Sequence, residues 1–325
     1  MARAAFVTGG SGFIGGALVR RLVAEGWRVR ALARSDASAK AVAANGAEAV
    51  RGDLDDVGAM ADGARGCDVT FHCAAQLGEW GTRAEFEHGN VQGTKNAIEA
   101  SQRGGVQRFV HVGTEAALFD GEPLVMVDER APLKPDSPAL YSATKAQAEA
   151  VVLAAASPEL ETVVVRPRLV WGPGDTTVLP ELVEAVDSGR FAWIGGGRHL
   201  TSTTHVDNVV EGLLLAAEKG TSGSAYFVTD GEPVEFRDFV TRWLATAGVE
   251  PGGRSVPAPL ARVAAAAVER VWRLLRLKST PPITRLGVWL ASLETTIDIT
   301  RARTELGYEP IRGVDEGLAE LAAAT

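Results

Sequence analysis

The chain has 325 residues, of which 46% are hydrophobic and 23% charged, and its formal net charge is −8. This length allows one large domain or two modest ones, and the composition excludes a disordered, collagenous or coiled-coil chain. The negative charge disfavours a nucleic-acid-binding protein, because such proteins present a basic face to phosphate.

The N-terminus and the cysteines predict a reduced, cytoplasmic protein. Residues 1–8 lead directly into a glycine-rich turn and leave no room for a secretory leader. Cys67 and Cys73 lie in one apparent strand segment, so we expect neither a structural disulfide nor a metal site.

Short apolar runs alternate with helical patterns through the first half of the chain. This alternation is typical of βαβ units, so we predict an α/β fold with a doubly wound parallel sheet. The predicted strands are Ala4 to Val7, Arg28 to Ala33, Ala47 to Val50, Val69 to His72, Arg108 to Val112 and Thr162 to Val165.

After Arg166-Pro167, prolines and glycines break the chain into shorter pieces, which indicates a second, smaller lobe. Val206 to Glu218 is still typical of a sheet-domain helix and Ser224 to Val228 of a strand, so we expect the lobes to interleave. We assign residues 1–166 and about 203–230 to the sheet domain, and about 167–202 and 231–325 to the smaller C-terminal lobe.

Glycines are spaced for a dinucleotide between the first predicted strand and helix. Such a site needs a tight turn, close backbone approach to the pyrophosphate and a helix N-terminus that attracts phosphate. The candidate cofactor contacts are Gly9, Ser11, Gly12, Phe13, Ile14 and Gly15.

The end of the second strand favours NADP over NAD. A carboxylate at this point binds the ribose hydroxyl of NAD, whereas an arginine accommodates the 2′-phosphate of NADP. Here the small residue Ala33 is followed by Arg34, while Asp36 can still reach a ribose.

Two further strand ends face the predicted cofactor crevice. Asp53, followed by Leu54, either binds the adenine amino group or caps the next helix. Ala74 and Ala75 are small enough to let the backbone lie against the cofactor, and His72 before them is expected to be a packed strand residue.

Tyr141 and Lys145 are spaced to share one face of a helix. A phenol with a pKa near 10 needs about 4 kcal/mol of differential stabilisation to titrate near 7. One cation at about 4 Å supplies about that much at an effective dielectric near 20. Thr114, at the end of the strand from Arg108, either donates to a substrate oxygen beside this pair or caps a turn.

With these motifs the sequence resembles the extended short-chain dehydrogenase/reductases, a superfamily that includes the NAD-dependent epimerases and dehydratases. Within them it is similar to the 3β-hydroxysteroid dehydrogenase/isomerase-like branch through the Gly78-Glu79-Trp80 loop and the Phe119-Asp120-Gly121 turn. The matching segments are Thr8 to Gly15, Asp53-Leu54, His72 to Ala75, Gly89 to Thr94, Thr114, Tyr141 to Lys145, Arg166-Pro167, Trp171 to Gly174, His205 to Asn208 and Ala302 to Tyr308.

The resemblance implies a Rossmann domain with a substrate-binding lobe. We also expect a homodimer. It implies Tyr141 as acid/base, Lys145 as the nicotinamide-ribose contact that lowers the tyrosine pKa, and Thr114 as the donor to the substrate oxygen. Gly113 departs from the family, which usually has a hydroxyl residue there. The remaining candidate contacts are Leu54 and Pro167 for the cofactor and Gln76, Trp80 and Trp272 for the substrate.

The leading functional hypothesis is hydride transfer between a nicotinamide and a secondary alcohol or ketone on a small apolar substrate. The alternative is a nucleotide-sugar epimerase or dehydratase, for which Arg168, Arg190 and Arg198 are candidate diphosphate contacts, although only one acid, Glu115, follows Thr114. A non-enzymatic dinucleotide sensor is the third hypothesis, and the presence of both Tyr141 and Lys145 argues against it.

Residues 263–277 predict an amphipathic helix with an excess of positive charge. Either this helix closes the core of the smaller lobe, or its apolar side and Trp272 line the entrance for a hydrophobic substrate, against a membrane surface. The apolar positions are Val263, Ala267, Val271, Leu274 and Leu275, and the charged positions are Arg262, Glu269, Arg273 and Arg276.

Overall fold

The strands divide between one large sheet and three small ones. The computed structural model describes residues 3–277 and 279–324. Its strands are β1 (Ala4–Thr8), β2 (Arg28–Ala33), β3 (Glu48–Arg51), β4 (Val69–His72), β5 (Arg108–Val112), β6 (Leu124–Val127), β7 (Glu161–Pro167), β8 (Val170–Trp171), β9 (Trp193–Ile194), β10 (Leu200–Thr201), β11 (Thr204–His205), β12 (Ser224–Val228), β13 (Val234–Glu235), β14 (Ser255–Val256) and β15 (Thr295–Ile297).

The helices follow the strands closely in the first half of the chain. Within the described residues, no helix combines the length and the hydropathy needed to cross a bilayer. The α-helices are α1 (Phe13–Ala24), α2 (Asp36–Ala44), α3 (Val57–Ala64), α4 (Arg83–Phe86), α5 (Gly93–Gly104), α6 (Leu140–Ala154), α7 (Val178–Asp187), α8 (Val206–Lys219), α9 (Phe236–Thr246), α10 (Ala258–Leu274), α11 (Arg285–Ser292) and α12 (Val314–Ala324).

The large sheet is parallel throughout. Over the described part of the chain it has seven strands in the order β3-β2-β1-β4-β5-β7-β12. The direction of winding reverses between β1 and β4, whose last residues, Thr8 and His72, are paired. Ligands of open α/β sheets bind in the crevice at such a reversal. The predicted doubly wound Rossmann fold is confirmed.

Helices bury both faces of this sheet. On one face α1 and α8 contribute Leu18 and Leu213, and on the other α3, α5 and α6 contribute Met60, Ile98 and Val152. A fully buried side chain of this size contributes about 1.5–3 kcal/mol. The two cores therefore hold the carboxyl edge of the sheet rigidly, and the candidate site lies along that edge.

A third core, rich in aromatic residues, lies outside the large sheet. It packs Trp171 of β8 and Trp193 of β9 together with Phe239 and Trp243 of α9. The chain leaves the large sheet after β7 and returns to it at β12. The lobe boundaries assigned from the sequence stay a prediction.

Helix α10 differs from the prediction in its start and in its orientation. It begins at Ala258, earlier than expected, because Pro259 is compatible with the first helical turn. The small side chains of Ala261 and Ala265 face inward and pack with Val288 of α11. The expectation that the apolar stripe closes the core of the smaller lobe is therefore wrong, since Leu274 on that stripe is 80% exposed.

Candidate active site

The glycine loop after β1 forms a cradle that side chains would fill. Gly9 has φ +71°, and a Cβ there would lie 2.7 Å from the backbone nitrogen of Ala74. The Gly12 N–H donates to the Gly9 carbonyl at 2.9 Å, which closes the turn. Ser11 and Gly12 are exposed and Phe13 and Ile14 half-buried. Among the described residues, no side chain caps the N-terminus of α1. Its free N–H groups suit a pyrophosphate.

Gly15→Ala is expected to weaken dinucleotide binding by about tenfold or more, equivalent to about 1.4 kcal/mol. The new Cβ would overlap the Gly9 carbonyl oxygen and lie 2.7 Å from its carbon, so the loop has to widen. Fluorescence titration with NADPH measures the change. The matched control is Gly16→Ala, whose Cβ meets nothing closer than the Asn45 side chain at 3.4 Å. Equal affinities of the two variants would contradict this role for Gly15.

The adenosine end of the crevice is polar and open. Arg34 is exposed at the end of β2, and Asp36 is ion-paired with Arg51 at 2.9 Å. Asp53 is exposed and accepts a hydrogen bond from the Asp55 N–H at 2.9 Å. The alternative that Asp53 caps the next helix is wrong, because Asp56 accepts from the Ala59 N–H and caps α3.

Small and apolar residues line the middle of the crevice. Ala74 and Ala75 are half-buried after β4, and Leu54 is half-buried against Gly93. Cys73 is half-buried before them, and burial raises the pKa of its thiol to about 12.

His72 has the structural role expected of it. Its ring lies between the hydroxyls of Thr8, at 2.7 Å, and Thr94, at 3.1 Å. Burial lowers the pKa of His72 to about 3, so the ring is neutral. A neutral, doubly hydrogen-bonded imidazole fixes the ends of β1 and β4 relative to each other.

Lys145 lies one helical turn after Tyr141 on α6 and points toward β5. Its ammonium donates to the Val112 carbonyl at 2.8 Å and lies 3.4 Å from the His111 ring. Burial lowers the pKa of Lys145 to about 8. Pro167, the other predicted cofactor contact on this side, is buried at the end of β7.

The hydroxyl of Tyr141 lies beside Thr114. Burial, and then the Glu115 carboxylate, raise the pKa of Tyr141, while a hydrogen bond with Thr114 acts in the opposite direction. Desolvation of the phenol is the largest of these effects, and the lowering of this pKa by Lys145 stays a prediction. The structure therefore holds Tyr141 as a neutral phenol.

Sequence reasoning missed a buried ion pair behind Thr114. The Thr114 hydroxyl donates to Glu115 at 2.8 Å, and Glu115 accepts from Arg168 at 2.9 Å. Both partners of the ion pair are almost fully buried. The signal was present as an acid directly after Thr114 and an arginine after Pro167, but the sequence does not show that they meet. Thr114 can donate to a substrate only after turning away from Glu115.

Thr114 also caps a turn, the alternative role predicted for it from the sequence. Its oxygen accepts from the Ala116 N–H at 3.1 Å and so caps the short helical turn from Glu115 to Leu118. Capping and substrate contact are compatible, because a hydroxyl oxygen has two lone pairs.

The glycine loop lies in a segment that matches a known protein family. Thr114, Tyr141 and Lys145 lie in the same segment. Residues 6–258 match the 3-beta hydroxysteroid dehydrogenase/isomerase family. The chain belongs to this family. Membership confirms the resemblance drawn from the motifs and the predicted enzyme class, an NAD(P)-dependent oxidoreductase acting on alcohol and ketone groups.

Two relatives of this chain are reductases. The 4-hydroxy-2-methyl-3-oxo-4-farnesyl-3,4-dihydroquinoline-1-oxide ketoreductase of Stigmatella aurantiaca is 49% identical over 303 residues, 93% of this chain and 91% of the relative. The 2-alkyl-3-oxoalkanoate reductase of Stenotrophomonas maltophilia (strain K279a) is 37% identical, and the match covers 98% of each protein.

A solved structure shares the whole architecture. It is a double mutant of DesIV, a dTDP-glucose 4,6-dehydratase from Streptomyces venezuelae, with NAD and DAU bound. It has a TM-score of 0.76 and 25% identity, and the match covers 98% of this chain and 95% of that one.

The diphosphate contacts proposed for the dehydratase alternative are not assembled in this family member. Arg168 is buried and paired with Glu115, and Arg190 pairs with Glu184 at 2.8 Å. Arg198 is exposed. Because Arg168 is buried and its charge is paired with Glu115, it offers no free charge to a sugar diphosphate.

The two segments that pointed to this branch of the family both contact the second lobe. In the first, Glu79 accepts a hydrogen bond from the Thr284 hydroxyl, which also caps α11. In the second, Gly121 has φ +108°, and a Cβ there would lie 3.1 Å from the Trp289 ring. Both contacts bring the second lobe over the carboxyl edge of the sheet.

The predicted substrate contacts are spread along this junction. Gln76 is exposed, and its backbone N–H donates to the Asn90 side chain at 2.7 Å. Trp80 is half-buried under the Arg273 guanidinium, 4.7 Å from the ring centroid. Trp272 is half-buried on α10, and its indole N–H has no partner in the described part of the chain. Their contact with substrate stays a prediction.

Proposed function

We propose that this enzyme interconverts a ketone and a secondary alcohol on a small apolar substrate, and that Tyr141 is its acid/base. The observation that carries the proposal is the hydroxyl of Tyr141 beside Thr114 at the carboxyl edge of the sheet, with Lys145 one turn further along α6. A phenol at this position can donate its proton to a ketone oxygen on reduction.

A nicotinamide dinucleotide fits the cradle, and when bound it supplies the hydride. The proposed protein contacts are the glycine loop for the pyrophosphate, Ala74 and Ala75 for close approach, and Lys145 for the ribose. Tyr141 gives the proton to the substrate oxygen on reduction and takes it back on oxidation. Thr114 orients that oxygen.

The substrate class follows from the relatives and from the engaged Arg168. Both reductases named above act on compounds whose names include an oxo group and an apolar chain. Purified protein with NADPH is expected to reduce a 2-alkyl-3-oxoalkanoate and to leave a nucleotide sugar unchanged. Turnover of a nucleotide sugar, with tightly retained NAD, would overturn this assignment.

Arg34→Ala is expected to weaken NADPH binding by about tenfold, or about 1.4 kcal/mol, and to leave NADH binding unchanged. Only the 2′-phosphate offers a charge partner to the guanidinium. The control is Arg28→Ala at the opposite end of β2, where the side chain donates to the Gly66 carbonyl. Titration with both nucleotides measures the change, and equal losses would remove Arg34 as the basis of NADP preference.

A homodimer and peripheral contact with a membrane are further proposals. The relatives do not address either of them. Light scattering of the purified protein tests the first. The cytoplasmic location stays a prediction from the sequence.

A further inference from the structure

Helix α10 has an apolar face that the rest of the protein leaves uncovered. The outer stripe, defined as Leu260, Val263, Ala267, Val271 and Leu274, follows the spacing of one helix face. Its two most exposed members are Leu274, at 80%, and Val263, at 68%. Leu275 and Leu277 after the helix are exposed as well. Soluble surfaces rarely show such a run of large apolar side chains unless it binds something.

The same helix is cationic, although the whole chain has a net charge of −8. Four arginines lie between residues 262 and 276. The one acid among them, Glu269, is buried and accepts from the Arg285 N–H at 2.7 Å. Any partner of the outer stripe therefore meets excess positive charge.

An arginine cavity of about 490 Å³ opens beside the outer stripe. The charged residues that line it are Arg83, Arg270, Arg273, Arg285 and Glu269. Arg285 pairs with Glu269 and Arg83 with Glu87, and Arg273 lies over Trp80. Arg270 lines the same cavity. The cavity can accept an anionic group.

We propose that α10 docks this protein on an anionic phospholipid bilayer, with the outer stripe against the acyl region and a headgroup phosphate in the arginine cavity. An anionic bilayer has an apolar phase next to a layer of negative charge. The outer stripe requires the first and the arginine cavity the second. An acidic small molecule would occupy the cavity but leave the outer stripe in water. An apolar protein partner would cover the outer stripe but bring no anion to the excess positive charge of the arginine cavity.

The docking face is connected to the candidate active site. Leu140, which lines the arginine cavity, directly precedes Tyr141, and Arg273 contacts Trp80 in the loop after Ala75. Docking therefore presents the junction of the lobes to a phase in which apolar ketones concentrate. This last step rests on the proposed substrate class, whereas the docking itself does not.

Vesicle flotation tests the proposal. Wild-type protein is expected to float with vesicles of equal parts phosphatidylglycerol and phosphatidylcholine and not with phosphatidylcholine alone. Val263→Glu combined with Leu274→Glu is expected to abolish flotation, and Arg262→Gln combined with Arg270→Gln to weaken it by about thirtyfold. The matched controls are Val125→Glu, at an exposed apolar residue on β6, and Arg20→Gln on α1.

Three outcomes would overturn docking on a bilayer. They are absence of wild-type flotation, flotation of the glutamate variant, and a change of that variant from dimer to monomer without vesicles, which would make the outer stripe an interface between copies. Reduction of a water-soluble ketone without vesicles is expected to be equal in all variants. That assay tests the proposed function separately, since its failure leaves the flotation result standing. Thermal melting confirms that each variant is folded.

Discussion

Tyr141→Phe is expected to lower kcat by about 10²- to 10⁴-fold while dinucleotide affinity stays near that of the unmodified protein. The substitution removes the phenolic proton beside Thr114 and retains the ring. Lys145 is untouched, because its ammonium is held by the Val112 carbonyl and not by the tyrosine. Steady-state reduction of an apolar ketone, together with NADPH titration, separates the two effects.

Thr114→Val is the comparison for this result, and its loss is expected to be smaller. The Thr114 hydroxyl already donates its hydrogen bond to Glu115. Its contribution to catalysis therefore depends on its turning toward the substrate oxygen when substrate binds. Turnover of Tyr141→Phe within about tenfold of the unmodified protein would remove Tyr141 from the acid/base role. A larger loss for Thr114→Val than for Tyr141→Phe would assign that role to the threonine.

Arg168→Met is expected to lower the free energy of unfolding by about 3–5 kcal/mol, because it leaves the buried Glu115 carboxylate without its cation. Urea unfolding measures the loss. The guanidinium also lies 3.4 Å from the Thr201 hydroxyl and 3.5 Å from the Leu290 carbonyl. Removing the guanidinium therefore also removes its contacts with Thr201 and Leu290.

Two controls distinguish the buried pair from a general effect of removing an arginine. Adding Glu115→Gln to Arg168→Met removes the stranded charge and is expected to recover much of the stability. Arg190→Met breaks the exposed pair with Glu184 and is expected to cost about 1 kcal/mol or less. A loss of that small size for Arg168→Met as well would show that Glu115 is not held by the ion pair.

Features that depend on local spacing could be predicted from the sequence. A short segment of chain holds all three loop glycines, Gly9, Gly12 and Gly15, and another holds Tyr141 and Lys145. The local sequence therefore specifies the geometry of each motif. The cap of α3 was wrongly given the alternative Asp53, because Asp56 three residues later supplies the same carboxylate chemistry.

Features that depend on distant partners could not be predicted. Glu115 and Arg168 are 53 residues apart, and they meet because they follow β5 and β7, which are neighbours in the parallel sheet. The spacing of apolar residues in α10 indicated an apolar stripe, but not whether that stripe faces the protein or the solvent. That direction depends on which side fits against Val288 of α11, and the small side chains of Ala261 and Ala265 fit there best.

The thiol of Cys73 lies in the crevice predicted to hold the dinucleotide, with a pKa of about 12. Alkylating agents and peroxides react with the thiolate, and at pH 7 only on the order of one such thiol in 10⁵ is ionised. Close packing beside the cofactor cradle thus also protects a nucleophile that an ordinary pKa would leave open to modification. The burial that shapes the crevice therefore keeps this thiol in its unreactive protonated form.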